Sequence, residues 1–352
     1  MTFPLADAFP GVRDLPREPL CALPTPLEEL AVEAGVRSLC VKRDDLTSAA
    51  YGGNKARKLE FLLGAALAES RRAVITFGAY GSNHALATAV HTRALGLEPH
   101  VVLSPQAPGP FAARTLRAHA GLGTVIHPVE GWDGSREAVR VRRELTARDG
   151  IAPAVIPMGG TSALGAVAYV NAAFELADQA PLPDVVYVAA GTVGTAIGLA
   201  IGFAALGAAT RVEAVRVTPG EVCNLPAAQE LARATVKLLR GMAAFPDLSA
   251  EQLPFNLRED HYGPGYGIPT PETLAAVDVA RKAGVTLETT YTGKAFAAFL
   301  ADAAIGGLAD QDVVFWNTYN SAPLPAPGPD EALPEVLREY VSRCDELFGE
   351  RG

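Results

Sequence analysis

The stretch "DVVYVAAGTVGTAIGLAIGFAALG", residues 184–207, decides the fold class. The chain carries no charged residue from Val185 to Thr210, and this uncharged segment is long enough to span a bilayer. Glycines interrupt it throughout, and the pattern breaks at "GTVGT", residues 191–195. A buried strand, a glycine turn and a buried helix explain this pattern better than a membrane helix. We therefore expect a soluble α/β protein without membrane contact.

Strand and helix patterns alternate on both sides of this stretch. Strands are predicted at 73–79, 99–104, 124–129, 152–158, 184–190, 211–218 and 312–318, and helices at 82–96, 110–121, 136–145, 195–207 and 335–347. Such alternation is typical of mainly parallel sheets covered by helices on both faces. The series before and after residue 160 predict two sheets with a cleft between them.

Composition narrows the function classes. The 352 residues are enough for two domains, and 49% of them are hydrophobic. A formal net charge of -9 argues against a nucleic-acid partner, which would require a basic face. The four cysteines are too far apart for a metal pair and too few for a disulfide framework, so no metal is expected. The first 16 residues lack an apolar signal-peptide core, which favours the cytoplasm.

Four motifs fall at the predicted carboxyl ends of strands or at helix starts, where open α/β sheets bind ligands. They are "GGNK" (52–55), "GAYGSNH" (78–84), "AAGTVGT" (189–195) and "WNTYN" (316–320). The third is neither a Walker P-loop nor a GxGxxG turn, but its glycines and helix start suit a phosphate. Glycine used for packing alone would explain it equally well.

Lys55 directly follows "GGN", and Arg57 and Lys58 come just after it. Three cations at a helix start oppose the helix dipole, and such local conflicts are typical of functional sites. In a partly closed cleft the neighbouring cations and lost hydration would lower the lysine pKa, which makes its amine a nucleophile for an aldehyde. A solvated lysine is the alternative. Ser82 and Asn83 could likewise act only as helix caps.

Six motifs together resemble a known family: "KRDDLTSAAYGGNKARKLE", "GAYGSNHALATA", "MGGTSALGAVAYV", "GTVGT", "YGPGYGIPTPE" and "YTGK". They are similar, in this order and over residues 20–320, to D-cysteine desulfhydrases and 1-aminocyclopropane-1-carboxylate (ACC) deaminases, which depend on pyridoxal 5'-phosphate. The resemblance implies the two-domain fold of type II, tryptophan synthase β-like, with mainly parallel twisted sheets flanked by helices. Residues 1–56 and 160–352 would form the larger, cofactor-binding domain and 57–159 the smaller one, in a homodimer.

The resemblance also implies the site residues. Lys55 would carry the cofactor covalently and exchange the substrate's α-proton, with Ser82 and Tyr291 steering protons to the leaving group. Asn83 would bind the ring oxygen of the cofactor, and Thr292 or Thr318 would lie near its pyridine nitrogen. The cofactor's phosphate would be bound by Gly191, Thr192, Val193, Gly194 and Thr195. The substrate would be bound by Ser82, Asn83, His84, Tyr266 and Tyr291.

The implied reaction is elimination of the β-substituent from a small amino acid, with D-cysteine giving pyruvate, hydrogen sulfide and ammonia. His84 and Thr292 stand where ACC deaminases carry Gln and Glu, which favours the desulfhydrase side. Tyr319 and Asn320 replace two glycines of the family and could change the leaving group. ACC ring opening, a lyase acting on L-cysteate or D-serine, and a non-catalytic cofactor-binding protein are the alternatives.

Overall fold

Residues 3–349 are described by a computed structural model. The strands are β1 (Leu27–Glu29), β2 (Ser38–Lys42), β3 (Ala73–Ala79), β4 (Glu98–Ser104), β5 (Val125–Pro128), β6 (Ala154–Ile156), β7 (Val185–Ala190), β8 (Arg211–Arg216), β9 (Phe255–Arg258) and β10 (Asp312–Trp316). The helices are α1 (Pro4–Ala8), α2 (Asn54–Ala68), α3 (Asn83–Ala94), α4 (Pro110–Gly121), α5 (Ser135–Asp149), α6 (Ala163–Gln179), α7 (Gly194–Ala205), α8 (Leu225–Met242), α9 (Pro271–Lys282), α10 (Thr292–Ala304) and α11 (Glu335–Phe348).

The strands form two sheets. The larger has the order β1-β2-β10-β7-β8-β9, and the smaller has the order β5-β4-β3-β6. Only β1 pairs antiparallel with its neighbour, and every other pair in the two sheets is parallel. The predicted α/β fold is therefore confirmed.

The uncharged stretch is a strand followed by a helix, as predicted. All six residues of β7 are buried at the centre of the larger sheet. The glycines of α7 let this helix lie directly on α6, because a Cβ atom at Gly198 would come within 2.5 Å of the Ala166 carbonyl oxygen. Within residues 3–349 no helix is long and apolar enough to cross a membrane.

A buried ionic cluster links β2 and the turn that follows it to α2 and α6. The Arg57 guanidinium donates to both carboxylate oxygens of Asp44 and of Glu175, and the Lys42 ammonium donates to Glu175 at 2.7 Å. Burial alone would raise the pKa of Glu175, but Arg57 and Lys42 more than offset it and hold the value at about 2. Arg57 is therefore structural. Because β2 ends on the charged Lys42, the sequence pattern did not predict this strand.

We expect Arg57→Met to lower the free energy of unfolding by about 3–5 kcal/mol, because it removes the cation that pairs with buried Asp44 and one of the two cations that pair with buried Glu175. The urea midpoint at fixed cofactor concentration measures the effect. Arg37→Met is the matched control, since Arg37 pairs with Asp184 and Asp312 at the surface, where an ion pair contributes about 0–1 kcal/mol. Equal midpoints for the two variants would contradict a stabilising role for the cluster.

We retain the domain division at 57 and 159 as a proposal. Each strand of the smaller sheet lies between these positions, and each strand of the larger sheet lies outside them. The helix α2 begins just before the first boundary and contacts both α3 and α6, so it lies between the two groups of elements.

Candidate functional site

The four motifs meet around one cavity at the carboxyl ends of β3, β7 and β10. Every site residue predicted from the sequence lines it: Lys55, Ser82, Asn83, His84, Gly191, Thr192, Val193, Gly194, Thr195, Tyr266, Tyr291, Thr292 and Thr318. Their individual roles remain predictions. The cavity is also lined by Lys58, one of the three cations noted in the sequence, and by Tyr51, Trp132 and Glu288, which the sequence patterns did not single out.

Lys55 lies in the first turn of α2, in a position created by tight backbone packing. Gly53 precedes the helix with φ of 79°, and a Cβ atom there would lie 2.7 Å from the Tyr319 carbonyl oxygen. The lysine side chain is partly buried, and burial lowers the pKa of its amine to about 8. The amine therefore has a substantial neutral, nucleophilic fraction near neutral pH.

This pKa predicts how cofactor uptake depends on pH. With a pKa of about 8, the Lys55 amine is neutral in about a tenth of the molecules at pH 7 and in about nine tenths at pH 9. We expect the rate at which cofactor-free protein bonds pyridoxal phosphate to rise with pH and level off above about 8. A free alkylamine measured with the same cofactor corrects for the cofactor's own titration. A corrected rate that keeps rising to pH 10 would contradict the lowered pKa.

The "GTVGT" turn forms a cradle of hydrogen-bond donors. Val193 has a left-handed φ of 55°, and the first turn of α7 follows it. The Gly194 N–H donates to the Thr192 carbonyl oxygen, so the helix start offers the N–H groups of Thr195 and Ala196 to a ligand. A Cβ atom at Gly194 would lie 2.8 Å from the Thr161 hydroxyl and 3.0 Å from the Lys58 amine. The cradle thus combines backbone donors, a hydroxyl and an amine around a position that only glycine leaves open. This donor set fits a phosphate.

Lys58 is the cation that the sequence reasoning did not assign to this cradle. Its amine is buried and donates to the Gly159 carbonyl oxygen at 3.2 Å. Burial, together with the nearby Lys55 cation, lowers its pKa well below the ordinary value. An anion in the cradle would restore its charge. The three cations of the motif therefore lie in three settings: Lys55 in the cavity, Lys58 at the cradle and Arg57 in the ionic cluster.

Asn83 is oriented by a residue that the sequence reasoning missed. The Tyr51 hydroxyl donates to Asn83 Oδ1 at 2.8 Å, which leaves the amide N–H groups available to an acceptor such as a ring oxygen. Ser82 Oγ accepts from the Ala85 N–H as the N-cap of α3, and its own proton is free to donate. A Cβ atom at Gly78 would lie 2.4 Å from Ser82 Oγ, so this glycine makes the room for the serine.

His84 is a neutral, buried imidazole. The Thr76 hydroxyl donates to the Ile156 carbonyl oxygen, so it accepts from Nε2 of His84, and the Nδ1 atom is left without a hydrogen-bond partner. Burial lowers its pKa well below 6.5, and the Lys55 and Lys58 cations lower it further. A neutral ring with a bare Nδ1 accepts a hydrogen bond and does not attract a substrate carboxylate by charge.

Of the two candidate hydroxyls for a pyridine nitrogen, Thr292 is already engaged. Its oxygen accepts from the Glu288 N–H at 3.0 Å and lies 3.2 Å from Glu288 Oε1. Thr318 makes no side-chain hydrogen bond within residues 3–349. The Glu288 carboxylate accepts from three successive backbone N–H groups, residues 290–292, and adds a negative charge to the cavity wall.

The two residues that replace glycines have different settings. Asn320 is buried, and its side chain accepts from the Gly52 N–H at 2.6 Å and donates to the Ala322 carbonyl oxygen. It therefore holds the "GGN" turn in place. Tyr319 is partly buried, and its side chain adds bulk to the cavity lining as the sequence suggested.

Comparison with known proteins gives concordant results. The family model described as "pyridoxal-phosphate dependent enzyme" matches residues 20–318. The chain is 38% identical over 317 residues to nocardicin C-9' epimerase of Nocardia uniformis subsp. tsuyamanensis, covering 86% of this chain and 92% of that protein. It is 33% identical over 321 residues to D-cysteine desulfhydrase of Serratia proteamaculans (strain 568), covering 88% and 94%. A crystal structure of an ACC deaminase homologue superimposes with a TM-score of 0.79 at 31% identity, covering 92% and 96%.

Proposed function

The chain belongs to the family of pyridoxal-phosphate dependent enzymes, and from that premise we propose that it expels the β-substituent of a small D-amino acid. The reference substrate is D-cysteine, which with one water gives pyruvate, hydrogen sulfide and ammonia. The observation that carries this proposal is the presence, around one cavity, of the Lys55 amine and the hydrogen-bonded hydroxyls of Tyr266 and Tyr291.

Pyridoxal phosphate, when bound, supplies an electron sink for the charge left on the α-carbon. Its phosphate would lie in the cradle of residues 191–195 with Lys58, and its ring oxygen would accept from Asn83. Thr318 is the better candidate for the pyridine nitrogen, because its hydroxyl is free and that of Thr292 is not. The close approach of Thr161 and Lys58 to Gly194 and the Tyr51–Asn83 hydrogen bond support this placement.

The protein's own groups then divide the proton transfers. The Lys55 amine, once neutral, accepts the α-proton at Nζ, which its lowered pKa favours. Burial and the neighbouring Tyr266 raise the pKa of Tyr291 well above 10, so Tyr291 remains protonated and can donate to a departing thiolate. Ser82, with its oxygen occupied by the helix cap, directs its proton toward the substrate.

The choice of D-cysteine rests on sequence differences and on the relatives. His84 and Thr292 replace the Gln and Glu of ACC deaminases, and a desulfhydrase is 33% identical over nearly its whole length. A neutral hydroxyl at the ring nitrogen leaves a weaker electron sink, which suffices for a substrate with an α-proton and a thiolate leaving group. The cyclopropane ring of ACC lacks that α-proton and makes a greater demand.

Epimerisation of an amino acid is the second candidate. It begins with the same removal of the α-proton, and a protein named as an epimerase is 38% identical to this chain. The Tyr266–Tyr291 pair, with its oxygens 2.8 Å apart, would then return a proton to the opposite face of the α-carbon. The two reactions differ only in whether the β-substituent leaves before the proton returns.

One experiment separates these reactions. Holoenzyme is incubated in D₂O with D-cysteine, L-cysteine, D-serine, L-cysteate or ACC, and keto acid, α-deuterium and enantiomer content are measured. We expect keto acid from D-cysteine first. Deuterium incorporation with inversion and no keto acid would instead establish epimerisation, and 2-oxobutanoate from ACC would establish ring opening. Lys55→Ala is the control for reaction by free cofactor.

We further infer a homodimeric, cytoplasmic enzyme from the family resemblance. Light scattering of the purified protein tests the assembly, and a mass of about 37 kDa, that of one chain, would contradict the dimer.

A further inference from the structure

Trp132 is an exposed aromatic residue that no step of the proposed reaction uses. It lies between β5 and α5, lines the cavity and is 51% exposed, whereas the chain's other tryptophan, Trp316, is fully buried. A large aromatic side chain left half-exposed at a cavity wall offers apolar area to a ligand. A small substrate such as D-cysteine would gain nothing from it.

Trp132 continues a row of aromatic rings that leads into the cavity. Its indole contacts Tyr266 edge-on, with ring centroids 6.3 Å apart and planes at 89°. Tyr266 contacts Tyr291 in the same manner, at 6.0 Å and 83°. Tyr291 packs against Gly191 of the phosphate cradle, where a Cβ atom would lie 3.2 Å from its ring. The row thus extends from the cradle to the exposed lip of the cavity.

The backbone next to Trp132 and the loop that carries Tyr266 are both held by hydrogen bonds or close packing. Asp133, next to Trp132, accepts from the Ser135 N–H at the start of α5, and a Cβ atom at Gly134 would lie 2.6 Å from Val102. On the other side, the buried Lys294 ammonium donates to the carbonyl oxygens of Tyr262 and Gly265, in the loop that carries Tyr266. The backbone segments that carry the two rings are therefore fixed before any ligand binds, which reduces the entropy cost of binding.

None of the lysine or carboxylate side chains that line the cavity belongs to the aromatic row. Among the cavity-lining residues, all within the described part of the chain, the only lysine, arginine, aspartate or glutamate side chains are those of Lys55, Lys58 and Glu288. The two lysines are at the helix start and the cradle, and the carboxylate of Glu288 is occupied by backbone N–H groups. A substituent that follows the aromatic row outward would meet rings and no counter-ion.

We infer that Trp132 is a specificity-determining residue, and that the preferred substrates carry an aryl group on the β-substituent that packs against Trp132 and Tyr266. This inference rests on the proposed function, since it names the substrate class of the same site. For S-phenyl-cysteine the balanced reaction is substrate plus water to pyruvate, ammonia and thiophenol. The β-carbon–sulfur bond breaks, and the sulfur leaves with the electron pair and then takes a proton.

The test compares S-phenyl-cysteine with cysteine, each as both enantiomers, in wild-type holoenzyme and in Trp132→Ala. We expect the wild type to favour the S-phenyl substrate in kcat/KM by about tenfold, which corresponds to ~1.4 kcal/mol. Trp132→Ala should remove that preference through KM, with less than about twofold change for cysteine. Phe348→Ala, which removes an aromatic side chain that is 50% exposed on α11, is the matched control. An unchanged preference in Trp132→Ala, or a wild type that favours cysteine, overturns the inference.

A binding measurement keeps this inference separate from the proposed reaction. D-homophenylalanine has no β-leaving group, and we expect it to shield Trp132 fluorescence from acrylamide, whereas D-alanine does not. If neither cysteine nor S-phenyl-cysteine releases keto acid, the elimination is wrong, yet shielding would still support the aryl site. Absence of shielding at concentrations that perturb the cofactor's absorbance overturns the aryl site alone.

Discussion

Lys55→Ala should yield a protein without covalently bound cofactor and with turnover lowered by at least about 10³-fold, because in the proposed reaction the same amine bonds the aldehyde and accepts the α-proton. Its pKa of about 8 results from burial in the cavity. Lys58, the other lysine that lines the cavity, has its amine at the cradle of residues 191–195. Visible absorbance of the purified variant and keto-acid release from D-cysteine measure the two losses.

Two controls make this result specific. Lys237→Ala removes an exposed lysine of α8 and should leave both absorbance and turnover unchanged. Borohydride reduction of the wild type, followed by peptide mapping, should fix the cofactor on the peptide that contains Lys55. Cofactor on a peptide with Lys58 alone would reverse the assignment of the two amines.

Gly194→Val should weaken cofactor retention by about 100-fold or more, equivalent to ~2.7 kcal/mol. The added side chain would occupy the space between the Thr161 hydroxyl and the Lys58 amine, which a Cβ atom already approaches to 2.8 and 3.0 Å. A phosphate would then lose one or two charge-assisted hydrogen bonds, each contributing about 1.5–3 kcal/mol. Equilibrium dialysis of the cofactor measures the loss.

Gly241→Val is the matched control for this cradle. Gly241 lies in α8, and a Cβ atom there would meet nothing within 4 Å. The control should retain cofactor like the parent, which separates the effect of the cradle from that of adding valine. If Gly194→Val also retained its cofactor, the phosphate would have to bind elsewhere.

The α/β fold class could be predicted from the sequence alone. A sheet that is buried on both faces requires continuous apolar strands alternating with helices, and this pattern is visible in short stretches of sequence. The strand at 184–190 and the helix at 195–207 agree with β7 and α7 to within one or two residues. Three strands escaped prediction, namely β1, β9 and β2, the last of which ends in a lysine. β2 pairs with β10 and β9 pairs with β8, so the strand character of both arises from segments that a local pattern does not include.

The residues at the cavity were also predictable from motifs, whereas their environments were not. "GGNKARK" predicts that its cations are functional, but the chain alone does not reveal that Arg57 pairs with Asp44 and Glu175 while Lys58 faces the cradle. Glu288 lies in no predicted motif and reaches the cavity by capping α10.

Motifs identify residue types along the chain, and packing decides which of their atoms remain free. Thr292 and Thr318 look equivalent in the sequence, yet Glu288 occupies one hydroxyl and leaves the other available. The same reason applies to His84, whose tautomer depends on Thr76 and on a carbonyl group 72 residues away, at Ile156. Burial and hydrogen-bond partners set pKa, tautomer and orientation, and only the tertiary structure brings those partners together.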